Sequence, residues 1–158
     1  MSGRISYWQI MISTLATLML TIVPLPQVLQ FVRPDWLLLL VIYWSLNAPM
    51  LAGQTYAFLC GLLVDTLQGT LLGQHALAFV LIATLTQHFQ LRVRVFPLLQ
   101  QAMVVLLFGW LYQFVLFWTD GIIGLAETTW WRWLPALIGA LVWPLLVAVL
   151  DTSQRRYR

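Results

Sequence analysis

The sequence predicts an all-α integral membrane protein with six transmembrane helices, and three observations carry that prediction. Of 158 residues, 61% are hydrophobic and only 8% charged, with a mean hydropathy of +0.87. A soluble domain needs about 25% charged residues to face water. The apolar runs are punctuated by Pro, Gly and Trp rather than by loops long enough to form a second domain. Every one of the eight cations is Arg, and six of them fall together on one side only if the chain crosses the bilayer an even number of times.

Residues 5–23 form the first span. No small-x-small cleavage site follows it, only Pro24 and Pro26, so it reads as an uncleaved anchor. Ser13, Thr17 and Thr21 recur every four residues and mark a helix-packing face. The link 24–35 is kept from continuing the helix by its prolines. It closes on Arg33-Pro34-Asp35-Trp36. Proline supplies the φ of a first turn, and the acid suits the positive end of the dipole. Arg33 then sits at headgroup level with Trp36 as an interfacial anchor. The helix 36–47 is short, about 18 Å against a ~30 Å hydrocarbon core, and local thinning of the bilayer can accommodate it and the similarly short 53–66.

Asn47-Ala48-Pro49 and Gly53 break the pattern before the third span, 53–66. Gly53, Ala57 and Gly61 lie one above another on one helix face and form a groove for a partner helix, because close packing holds bilayer helices together. Asp65 ends that smooth face. An acid in an apolar segment costs roughly 2.5–3.5 kcal/mol on insertion scales, so it must face protein or water. It also lies at the unfavourable end of its own helix dipole. Three groups can hold it: the amides of the turn 68–73 around Gly69 and Gly73, His75, or Arg33. Arg33 is the first choice, since both mark the outer ends of short helices.

The fourth span is 74–91, and its polar second half, with Thr84, Gln87 and His88, reads as a helix end nearing headgroups. In the fifth, 98–119, Gly109 and Gln113 mark a close contact with an amide bonding across it. The external loop that follows is acidic, and Trp118, Trp130, Trp131 and Trp133 form part of an aromatic belt. The sixth span, 133–150, carries Pro144, which predicts a kink near 140–144. Asp151 precedes Arg155 by four residues and suits an ion pair at a helix end. No repeat, linker or low-complexity stretch divides the chain, so 1–158 is one domain. Six spans place Arg4, Arg92, Arg94, Arg155, Arg156 and Arg158 on the cytoplasmic side with both termini; five would export most of them.

Several function classes are excluded. Cys60 is alone, His75 and His88 lack a second ligand at metal spacing, and no lysine exists for a phosphate loop. No basic cluster shows the aromatic interleaving of a nucleic-acid surface. No nucleophile has a base at a definable spacing, so neither cofactor nor enzyme activity is expected.

Two stretches carry a resemblance. One is Arg33-Pro34-Asp35-Trp36 with the run 37–44 behind it, and the other is GLLVDTLQGTLLGQHAL from Gly61 to Leu77. With length and span order, they make the chain similar to the rod shape-determining protein MreD family of rod-shaped Gram-negative bacteria. The resemblance implies a non-enzymatic scaffold of the inner membrane in the machinery that elongates the lateral wall. It implies MreC, MreB, penicillin-binding protein 2 and RodA as partners, beside membrane lipid. It also implies a fold similar to the substrate-binding component of energy-coupling-factor vitamin transporters. A small-molecule or lipid-binding component of that kind is the alternative reading.

Overall fold

The computed structural model describes residues 6–125 and 127–156. These form α1 (Tyr7–Ile22), the single turn α2 (Gln27–Gln30), α3 (Trp36–Asn47), α4 (Gln54–Gln68), α5 (Gln74–Val93) and α6 (Leu98–Ile122). A 3₁₀ turn at Trp130–Trp133 leads into α7 (Leu134–Arg156). No strand occurs among the described residues. Arg4 and Arg158 lie outside them.

The helix at the centre is α3. A helix that is apolar all round has no face for water, and either lipid or protein can surround it; here protein does. Leu37 through Leu46 are all buried, the large Tyr43 and Trp44 among them. Around it pack α1, α4, α5, α6 and α7. The expectation of a short helix thinning the bilayer therefore needs correcting for α3: its walls are protein, so its 18 Å length meets no lipid mismatch.

Three stretches are long and apolar enough to cross a membrane, namely Gln74–Val93, Leu98–Ile122 and Trp130–Arg155, while α1 and α3 are shorter apolar helices. Neighbours in sequence run antiparallel. Ser6 and Gln9 at the start of α1 line one cavity with Ser153 and Gln154 at the end of α7, so both ends of the described chain lie at the same end of the bundle. The α3 start, the α4 end and the α6 residue Tyr112 line a cavity at the opposite end.

Contacts show what each marked residue does. Trp44 Nε1 donates to Ser13 Oγ at 3.0 Å and Thr17 is buried, so the hydroxyl face of α1 packs on α3. A Cβ on Gly109 would lie 2.9 Å from Ala136 Cβ, which brings α6 against α7. Gln113 Nε2 donates across to Asp35 Oδ2 at 3.0 Å. Pro144 lies within α7, which continues through it. Asp151 does not pair with Arg155. Its Oδ1 accepts the phenol proton of Tyr43 at 2.6 Å, because a fully buried hydroxyl in α3 has few other acceptors within reach.

Candidate functional site

The most tightly bonded polar group is the carboxylate of Asp65, and the sequence after it explains why. α4 ends at Gly69 in the left-handed region, φ +64, which turns the chain back without a Cβ penalty. A second left-handed glycine, Gly73 at φ +98, starts α5. The return brings the first amides of α5 onto Asp65. Gly73 N donates to Oδ2 at 2.8 Å, His75 N to Oδ1 at 3.0 Å, and Thr70 Oγ1 to Oδ1 at 3.0 Å. His75 Nδ1 lies 2.7 Å from Oδ1. Asp65 is at the wrong end of its own dipole and at the right end of its neighbour's. A carboxylate 1% exposed is tolerable only with such a full set of donors.

Arg33, the first choice as partner, is elsewhere. It donates to the carbonyls of Leu20 and Val23 at the end of α1. Among the described residues Asp65 is hydrogen-bonded to the His75 ring and Asp120 forms an ion pair with Arg132. The correction has a physical cause: donors five to ten residues along the chain saturate Asp65, and free carbonyls at the α1 terminus attract the guanidinium.

The small-residue face also meets a near neighbour. A Cβ built on Gly61 would lie 2.3 Å from Ala76 Cα and 2.5 Å from Ala76 N. The close approach expected of this glycine exists, and α5 of the same chain fills it. Ala57 is fully buried with it, whereas a Cβ built on Gly53 would meet Pro49 O at 3.4 Å and Gln87 Nε2 at 3.8 Å, ordinary contact distances.

Two further links lie beside the Asp65 turn. Gln74 Nε2 donates to Asp120 Oδ1 at 2.7 Å and to Leu116 O at 3.4 Å, tying the α5 start to the α6 end. Arg132 pairs with Asp120 and stands 5.7 Å over the Phe117 ring, which holds the Trp130–Trp133 turn down. Burial pushes the Asp35 carboxyl, just ahead of α3, up to about 6, against the lowering effects of the Gln113 bond and the Arg33 charge. Pro34 and Asp35 themselves start α3 as the sequence suggests, with Leu39 N donating to Asp35 O at 3.1 Å.

Between these groups opens a cavity of about 380 Å³ whose lining includes Gln30, Arg33, Asp35, Gln68 and Tyr112. Tyr112 is buried and its hydroxyl has no hydrogen bond among the described residues. Sequence reasoning missed Thr70, Gln74, Tyr112 and Asp120. The usable signal was a polar residue at each chain reversal; nothing in the apolar run around Tyr112 singles it out.

A family model for the rod shape-determining protein MreD matches residues 2–152. The rod shape-determining protein MreD of Haemophilus influenzae is 28% identical over 139 residues, covering 88% of this chain and 86% of that protein. No solved structure matches.

Proposed function

The chain belongs to the MreD family of membrane proteins involved in rod-shape determination, and from that premise we propose that it is a six-span scaffold of the inner membrane that holds partners of the wall-elongation complex. The observation supporting this reading is the open polar cavity over the α3 start. The groove at Ala57 and Gly61 is used to pack the chain on itself, so its role is to fix α4 and α5 as a platform. The cavity above them, with Arg33, Asp35, Gln68 and the unbonded Tyr112 hydroxyl, remains available to another polypeptide. A bitopic partner such as MreC, packed beside the helices, presents its chain there as it leaves the bilayer. MreB, penicillin-binding protein 2 and RodA belong to the same complex in this reading.

The test is a photoreactive amino acid at Gln68, on the cavity rim, compared with one at Leu107 on the outer face of α6. Illumination in growing rod-shaped cells should crosslink MreC from position 68 and not from 107. Equal yields from both, or none from 68 in cells of normal shape, would remove the cavity from the partner surface.

A further inference from the structure

We propose that the cavity over the α3 start receives a basic side chain of the partner chain, whose cation is held by the Asp35 carboxylate and the Tyr112 hydroxyl. This rests on the scaffold reading above and names the group that the partner brings to that site.

The two carboxylates at this end of the bundle are bonded very unequally. Asp65 accepts from Thr70, Gly73 and His75 and has little left to offer. Asp35 accepts from Gln113 Nε2 alone, on Oδ2 at 3.0 Å. An ionised carboxylate has about four lone-pair sites. Asp35 stands at the N-terminus of α3, where the dipole favours its charge, yet its side chain takes no bond from the first amides of that helix. Oδ1 therefore has no donor among the described residues. Burial raises this carboxyl to about 6 although Gln113 and Arg33 both act against the rise, so the two together leave the desolvated charge under-compensated. A cation on the free oxygen supplies what is missing.

Tyr112 is a second, independent sign of an occupant. It is 2% exposed and lines the same cavity, but its hydroxyl has no hydrogen bond among the described residues. Buried phenols normally find a partner. The ring packs on Phe79 and His75, at 5.6 and 6.1 Å between centroids, so the place of the hydroxyl is fixed. Gln30 and Gln68 add amide oxygens to the lining. Acceptors on several sides suit a group that has only donors, which is the character of an ammonium or a guanidinium. The same cavity is lined by Leu38, Val64 and Phe79, apolar surface for the methylene stem of such a side chain.

Arg33 decides between a cation and an anion. Its guanidinium is turned to the carbonyls of Leu20 and Val23, at the negative end of α1. Its charge is thus met inside the fold, and an incoming carboxylate gains little from it. Arg33 and an incoming cation repel, which gives the test its sign.

The experiment uses the full-length protein in growing rod-shaped cells and reads the crosslink from a photoreactive residue at Gln68 to MreC. Tyr112→Phe removes the hydroxyl and no bond among the described residues. It should leave the thermal midpoint unchanged and lower the yield about fivefold, as losing one hydrogen bond to a charged group does. Asp35→Asn should lower it by about tenfold or more, as for one partner of a buried charge pair. Arg33→Gln should raise the yield, because a like charge leaves the wall. Each Lys and Arg of MreC next to the bilayer, on the side of this cavity, is also replaced by Gln in turn. One such position should match the Asp35→Asn loss and add nothing to it in combination. A loss with Arg33→Gln at an unchanged thermal midpoint means an anionic occupant and overturns the proposal. So does full yield in both Tyr112→Phe and Asp35→Asn, an outcome that leaves the scaffold reading standing. A yield that falls with Asp35→Asn yet ignores every MreC substitution puts another cation there, such as a phosphatidylethanolamine headgroup, and overturns it too. If no crosslink forms from position 68 with the lining unsubstituted, the scaffold reading goes and this proposal falls with it.

Discussion

Asp65 accepts from Thr70, Gly73 and His75, all within ten residues, and this locality decides how its energetics should behave. Removing one member of a buried charged network leaves the others unpaired, which costs roughly 1–3 kcal/mol or more per group. Asp65→Asn should therefore lower stability sharply, since its amide turns a donor toward the Gly73 or His75 N–H. In a double-mutant cycle with His75→Gln, measured by chemical unfolding in mixed micelles, the coupling should fall in the range of about 0.5–3 kcal/mol for contacting residues. The same cycle with Arg33→Gln should be additive within ~0.5 kcal/mol, because Arg33 bonds to α1 instead. Strong coupling to Arg33 and none to His75 would reverse this assignment. The sequence marks Asp65 as a residue needing a partner, on the cost of a bare acid in an apolar run. The first choice drawn from it, Arg33, is not the partner, since the choice depends on how tightly Gly69 and Gly73 fold the chain back.

Helices were more legible than the contacts between them. Pro34-Asp35, Gly53 and Gly73 lie at or immediately before the starts of α3, α4 and α5, because they fix or free φ wherever they stand. The central place of α3 was not legible: an unbroken apolar run reads the same whether lipid or protein surrounds it. The 3₁₀ turn at Trp130–Trp133 was hidden for a related reason, its tryptophans reading only as a belt. The Gly61 approach gives a prediction at this scale. A methyl group there meets backbone atoms of Ala76, which cannot swing aside, so α4 and α5 must separate. Gly61→Ala should cost roughly 1–3 kcal/mol as overpacking. Gly139→Ala meets only the tip of Leu39 at 3.4 Å and should cost far less. Thermal midpoints of the two variants in detergent check this, and equal midpoints would mean that the α4–α5 contact is loose.

Across the whole molecule, charge and architecture point the same way. The Ser6 end of α1 and the Gln154 end of α7 share one cavity, so the chain returns to the end from which it started. An even number of crossings is the consequence if the bundle spans a bilayer. The arginines at the two ends are treated differently. Those at the Asp65 end are bound within the fold, Arg33 by α1 carbonyls and Arg132 by Asp120. Arg92, Arg94 and Arg155 stand exposed at the other. Exposed cations resist translocation and favour the cytoplasmic side. Six spans with both termini cytoplasmic is therefore the expected topology, and the three long helices sheathing α3 make it feasible despite one central helix of only 12 residues. A reporter active only in the periplasm should be silent when fused after Arg158 and active when inserted at Gly124, in the loop between α6 and the Trp130–Trp133 turn. Activity after Arg158 together with silence at Gly124 would mean that the bundle is inverted; activity at both would mean an odd number of crossings, which a bundle with both ends of the described chain on one face cannot supply.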